Sequence, residues 1–234
     1  MPEPSSLIMK IVIFGATGLT GQQLVQQALE LGHEVTAFVR NPQGLQTTHV
    51  NFNIFKGDLF DPQIVSAAVK KHAVVISALG VKPTVKDKDI PPLRSEGTKN
   101  IIAAMKQHGV KRLLVISSQG AGDSKPRSGL FGKVIVPLFL KNRFAEVEKQ
   151  ERLVFRERPR LDHRSSPAID QRPLTGMYKV GAFLKIGLMD SIARADVAHF
   201  ILKEMIENNW LQQAVDINPN LNSPVHPSSA AVNQ

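Results

Sequence analysis

A chain of 234 residues suits one large α/β domain, and the absence of cysteine excludes disulfides, thiolate nucleophiles and cysteine metal ligands. The net charge of +9 favours a polyanionic ligand such as a nucleotide cofactor, while one Trp and one Tyr are too few stacking aromatics for a nucleic-acid site. No run of 18 apolar residues exists, so no membrane span is expected; Leu130 to Leu140 is the longest loose candidate, and Lys133 and Pro137 interrupt it.

Residues 1–8 read as an N-terminal extension, and MPEPSSLIMK lacks the pattern of a secretory signal. Met9 to Phe14 is an apolar, β-branched run, the signature of a buried parallel strand. Gly18 to Leu31 carries Leu19, Leu24, Val25, Ala28 and Leu29 at helical spacing, closed by Gly32. Strands follow at Glu34 to Val39 and Phe52 to Phe55. Asp61 caps a helix running to Lys71, with Pro62 in its first turn. Ala73 to Leu79 is a fourth strand, Ser95 to His108 a helix stopped by Gly109, and Arg112 to Ile116 a fifth strand. Gln119 to Gly132 reads as a mobile loop and Lys141 to Phe155 as helical. A sixth strand is due within Arg156 to Gly176, yet no strand pattern can be drawn there. Arg194 to Asn208 is an amphipathic helix, Ala214 to Ile217 a short strand, and 218–234 a tail expected to be disordered. Strands alternating with helices predict a Rossmann-type doubly wound parallel sheet, a three-layer αβα single domain over 9–217.

Gly15, Gly18 and Gly21 form G-x-x-G-x-x-G between a strand and a helix. Three glycines alone are weak evidence. In this context each has a use: a tight turn, close approach of backbone to a pyrophosphate, and close helix–strand packing. The helix N-terminus adds unpaired N–H groups for phosphate. A P-loop is rejected because no Gly-Lys-Ser/Thr follows. The second strand ends in Arg40, where NAD binders place an acid for the ribose hydroxyls. A guanidinium there suits the 2′-phosphate of NADP(H). Asp58 can accept from the adenine amine, and Ala78, Leu79 and Gly80 offer a small surface for the ribose and nicotinamide. Ser117 and Ser118, after the fifth strand, either hydrogen-bond the carboxamide or acceptor or cap the strand end.

GATGLTG, FVR, GDL, ALG, SEGTKNIIAAMKQHGVKRLLVISS and PLTGMYKV together resemble the atypical short-chain dehydrogenase/reductase group, nearest its biliverdin-IXβ and flavin reductase branch. The likeness covers about residues 9–118 and 171–206. It implies an NADPH-dependent reductase of flavins (FMN or FAD) or linear tetrapyrroles such as biliverdin. By motif, Gly15, Thr17, Gly18, Leu19 and Thr20 would line the pyrophosphate and Arg40 the 2′-phosphate. Asp58 and Leu59 would meet the adenine, Leu79 and Gly80 the nicotinamide, and Ser118 falls at the active-site serine. The chain departs from the group in one region. An apolar sixth strand is missing, Ala168 stands where a His is expected, and six arginines (152, 156, 158, 160, 164, 172) crowd into 151–172.

Ordinary short-chain dehydrogenases use Tyr-x-x-x-Lys as proton donor and pKa modulator. The single tyrosine, Tyr178, has Ala182 where that Lys would stand. A flavin or conjugated tetrapyrrole asks less of the protein, because the acceptor is already electrophilic and solvent can supply the proton. Two other readings stay open: a non-catalytic NADP(H)-binding sensor or assembly protein, and a nucleotide-sugar epimerase or dehydratase. The seven histidines show no ligand spacing, so no metal site is expected. His199 reads as a packing residue and Asp196 as helix-start chemistry. Lys82, Lys86, Lys88 and Arg94 either attract an anionic acceptor group or form a solvated basic loop. The expected setting is cytoplasmic, as a monomer with a small-molecule acceptor.

Overall fold

The computed structural model describes residues 8–45, 47–82, 84–118, 140–156, 162–165, 168–181, 184, 191–211 and 213–219, with backbone alone at 118, 162–165 and 168. The expected loop at Gln119 to Gly132 and nearly all of the expected extension and tail lie outside these residues.

Strand β1 (Lys10–Phe14) is buried at four of its five positions, as a central strand covered on both faces must be. Its alternation sorts the core. Ile11 and Ile13 pack with α1 (Leu19–Glu30) and a C-terminal helix, while Val12 and Phe14 pack on the opposite face. Then come β2 (Glu34–Val39), β3 (Phe52–Lys56), α2 (Pro62–Val69), β4 (Val74–Ser77), α3 (Leu93–His108), β5 (Arg112–Ser118) and α4 (Lys141–Arg156). The chain continues with β6 (Asp162–Ser165), β7 (Ala168–Asp170), β8 (Lys179–Gly181), β9 (Ser191–Ala193), α5 (Arg194–Glu207) and β10 (Ala214–Asn218). Asp61 caps α2 by accepting from the N–H groups of Gln63 and Ile64, and Gly109 ends α3 in the left-handed conformation.

The main sheet runs β3-β2-β1-β4-β5-β6-β10-β8. Every neighbouring pair is parallel except β10 with β8. Residues of α1 and α5 cover one face and residues of α2 and α3 the other, giving three layers. Strand order reverses between β1 and β4, so the crevice of this doubly wound Rossmann-type fold opens beyond their carboxyl ends. Strands β7 and β9 form a separate parallel pair.

The structure corrects the expectation for the arginine-rich stretch. Asp162–Ser165 is the sixth strand, in register with Val115–Ser118 on one side and with Ala214–Asp216 on the other. A strand flanked on both sides satisfies its backbone polar groups whatever its side chains, so apolar alternation is not needed to place it. Several boundaries also differ: β4 runs only Val74–Ser77, so Ala78 and Leu79 lie beyond it. Strand β5 includes Ser117 and Ser118, α2 stops at Val69 before Lys71 adopts φ +69°, and β10 includes Asn218, which is fully buried rather than part of a tail.

Two histidines lie near this core, His33 fully buried and His72 half-buried. His33 Nδ1 accepts the Met9 N–H at 3.3 Å, and His72 Nε2 lies 2.9 Å from Thr36 Oγ1. Burial holds the pKa of each below its ordinary value. Among the described residues no helix is long and apolar enough to cross a membrane.

Candidate functional site

The glycine turn is built by exclusion of Cβ atoms. Gly15 has φ +81°, and a Cβ there would lie 2.5 Å from the Ala78 carbonyl oxygen. A Cβ on Gly21 would overlap the Gly15 carbonyl, so this glycine lets α1 start directly on the turn. Gly18 is the N-cap; its N–H donates to Gly15 O at 3.0 Å, and a Cβ on it would stand 3.2 Å from that oxygen, closer than ordinary contact. Thr17, Gly18 and Leu19 are exposed and Thr20 is half-buried. Among the described residues no side chain caps α1, and its first turn holds no acid. The result is an open cradle with free N–H groups at the positive end of a helix, which fits a pyrophosphate.

Arg40 follows β2 and is exposed, with no ion-pair partner among the described residues. The segment after it is drawn back onto the turn. Gln22 Nε2 donates to Thr17 O at 3.1 Å and to Gly44 O at 3.4 Å, and a Cβ on Gly44 would lie 3.6 Å from the Thr17 side chain. Asn41 closes the short 42–44 helix by accepting from the Gln43 N–H. Arg40 thus stands at the root of a loop clasped to Thr17, so the two expected phosphate contacts share one corner.

Asp58 and Leu59 form the next wall. The exposed Asp58 carboxylate accepts from the Phe60 N–H at 3.0 Å, leaving acceptor capacity free for a ligand. Leu59 is buried; its carbonyl accepts from Asn100 Nδ2 at 2.9 Å, and it packs with Leu79 against Gly97 of α3, where a Cβ would overlap Leu59. Gly97 and Asn100 therefore set the spacing between the Leu59 and Leu79 walls. Sequence reasoning missed both, because nothing local marks a helical glycine as a point of close approach. Ala78 N donates to Phe14 O at 2.9 Å, which continues the β4–β1 pairing up to the glycine turn. Gly80 is exposed, and a Cβ on it would stand 3.6 Å from the Arg94 guanidinium.

The two serines diverge. Ser117 is buried and its hydroxyl donates to Glu151 Oε1 of α4 at 2.7 Å, so the structure gives it a partner inside the protein. Ser118 ends β5 opposite Ser165; only its backbone is described.

Asp196, in the first turn of α5, does more than complement the helix dipole. Its Oδ1 accepts from the N–H groups of Thr175 and Gly176, each at 2.9 Å, and its Oδ2 accepts from Thr175 Oγ1 at 2.8 Å. The Pro173–Gly176 turn is held by this one buried carboxylate. Arg172 is anchored beside it: Nε donates to Asp170 Oδ2 at 2.8 Å, and Nη2 donates to the Ser191 carbonyl. Tyr178 OH lies 2.7 Å from His199 Nδ1, a contact that satisfies both rings. Burial, reinforced by Asp196 and Glu207, pushes the phenol pKa well above its ordinary value, the reverse of the tuning a catalytic tyrosine needs. Among the described residues no group of three or more His, Asp or Glu could hold a metal ion.

Residues 15–208 match the profile of the NAD(P)H-binding family. The chain is 33% identical over 113 residues to the uncharacterized protein YwnB of Bacillus subtilis, covering 48% of this chain and 49% of that protein. It thus spans about half the length of that curated relative. Among solved structures it is similar to ChuY, an anaerobilin reductase from Escherichia coli O157:H7, with TM-score 0.73, 20% identity, and 92% of this chain and 100% of that chain covered. It is also similar to SP1627 of Streptococcus pneumoniae, assigned as an NADH-flavin reductase, with TM-score 0.71, 21% identity, and 90% and 99% covered. At these identities the two structures speak for the shared fold.

Proposed function

The chain belongs to the NAD(P)H-binding family, and on that premise we propose that it is an NADPH-dependent reductase whose acceptor is a flavin or a linear tetrapyrrole such as biliverdin. The observation that carries the NADPH preference is Arg40, unpaired among the described residues on a loop clasped to Thr17. A free guanidinium there binds a 2′-phosphate with charge-assisted hydrogen bonds, whereas an acid would be needed to favour the unphosphorylated ribose.

In this reading the Gly15–Gly21 turn and the start of α1 bind the pyrophosphate. Asp58 and Leu59 face the adenine, and Ala78, Leu79 and Gly80 support the nicotinamide. The bound cofactor supplies the hydride. The chain contributes alignment, with Ser118 as the candidate group for orienting the acceptor or carboxamide. Ser117 acts indirectly, by tying β5 to Glu151. No residue of the described chain is tuned as a tyrosine acid, and this supports an acceptor that takes its proton from solvent.

The test is NADPH oxidation followed at 340 nm with FMN, FAD, quinones and biliverdin isomers. Turnover with any flavin or tetrapyrrole is the expected result. Tight NADPH binding with no turnover would replace this reading with that of a non-catalytic sensor.

A further inference from the structure

Helix α4 stands beside the carboxyl end of β5 and is locked there by buried polar contacts. The Ser95 hydroxyl and backbone N–H donate to Glu146 Oε2 at 2.8 and 3.2 Å. Gln150 donates to Thr98 Oγ1 at 3.1 Å and accepts from Arg94 at 3.0 Å. With the Ser117–Glu151 bond, these contacts fix α4 to both α3 and β5.

The first turn of α4 in turn grips the segment that leaves β4. The Asp87 carboxylate accepts from the N–H groups of Asn142 and Arg143 at 2.8 and 2.9 Å, and Asn142 Nδ2 donates to Asp87 O at 3.2 Å. In the other direction Arg143 Nη1 donates to Val81 O at 2.9 Å, while Nη2 donates to Val85 O at 3.0 Å and Lys82 O at 3.4 Å. A carboxylate satisfies helix N–H groups that have no partner within the helix, and a planar guanidinium fork spans several carbonyls as an ammonium cannot. The clasp is reciprocal and closes 81–82 and 84–89 onto a helix that is already fixed.

This segment begins at the residue after Gly80, where the reductase reading seats the nicotinamide. The glycine turn is held by its own contacts to Ala78, upstream of the clasp. We propose that Arg143 and Asp87 are positioning residues that hold 81–82 and 84–89 as a fixed wall on the acceptor side of the crevice, an assignment that rests on the reductase reading. The wall presents exposed Lys82, Lys86 and Lys88 in one arrangement. The α4 contacts through Glu146, Gln150 and Glu151 do not involve Arg143, so removing its side chain releases Val81, Lys82 and Val85, while Asp87 keeps its bonds to the helix N–H groups and the helix stays in place.

The experiment compares Arg143→Ala, Arg143→Lys and Asp87→Asn with the unmodified protein, using NADPH and FMN. Arg143→Ala raises the KM for FMN about tenfold, a loss expected when a substrate wall shifts by a fraction of an ångström. NADPH affinity stays within about twofold, because the cofactor turn is held independently. Amide hydrogen exchange speeds up at Val81, Lys82 and Val85 and not in 146–151. Arg143→Lys keeps the charge but not the fork and rescues little. An unchanged KM for FMN, with or without faster exchange, overturns the assignment alone, as does a loss of NADPH affinity in step with the KM. Failure of the unmodified protein to turn over any acceptor overturns the reductase reading and this assignment with it.

Discussion

A Cβ on Gly15 would lie 2.5 Å from the carbonyl oxygen of Ala78, so the glycine turn and the residue after β4 touch backbone to backbone. Gly15→Ala forces one of them to move and places a side chain at φ +81°. Overlap with backbone cannot be relieved by a rotamer change, and overpacking of this kind costs about 1–3 kcal/mol. The expected result is a melting midpoint several degrees lower, with weaker NADPH binding, read by thermal denaturation and by nucleotide fluorescence.

Arg40→Asp removes charge-assisted bonds to a 2′-phosphate and adds repulsion. The expected loss is ~2–3 kcal/mol of NADPH affinity, or roughly 30- to 150-fold in Kd. Affinity for NADH should change much less. Equal affinity of the unmodified protein for NADH and NADPH would contradict the role given to Arg40.

Asp196→Ala removes three hydrogen bonds from the 173–176 turn at once. Bonds to a charged acceptor are worth about 1.5–3 kcal/mol each when buried. Water reaches the exposed Thr175 and Gly176, so the summed cost stays near the value for one bond. Limited proteolysis should cut the variant within 171–177 where it spares the unmodified protein.

His33 and His72 have folded-state pKa values below their ordinary value of 6.5, because burial disfavours the charged ring. Below pH 6.5 the unfolded chain binds more protons than the folded one, so stability is full above that pH and is lost as pH falls beneath it. Each ring contributes at most about 1.4 kcal/mol per pH unit within its window. Denaturant midpoints measured from pH 8 to pH 5 should show this decline. A His33→Gln, His72→Gln double variant, which keeps side-chain acceptors at both sites, should flatten it.

The first half of the fold was legible in the sequence because its strands are apolar runs and its helices carry local stop signals. Asp61 and Gly109 act in the structure as their chemistry suggested. The glycine turn was legible for the same reason, since its constraints are local. Strand β6 was not, because D-H-R-S owes its place to neighbours on both sides, and pairing across a sheet leaves no mark on one strand. Asp196 was read as helix-start chemistry, and its hold on Thr175 and Gly176 spans 20 residues or more of chain. Ser117 was read either as a contact to carboxamide or acceptor or as a strand-end cap; its bond to Glu151 was not legible, because it comes from a residue 34 positions away.

The cap on α4 has a consequence for how the molecule assembles. Asp87 reaches the helix N-terminus across 55 residues of sequence. A helix capped by its own neighbours can begin to form while the rest of the chain is loose, but this one receives its cap only after the β4 exit is in place. The cap on this helix and the placement of the β4 exit therefore depend on each other, so a change that loosens one loosens the other.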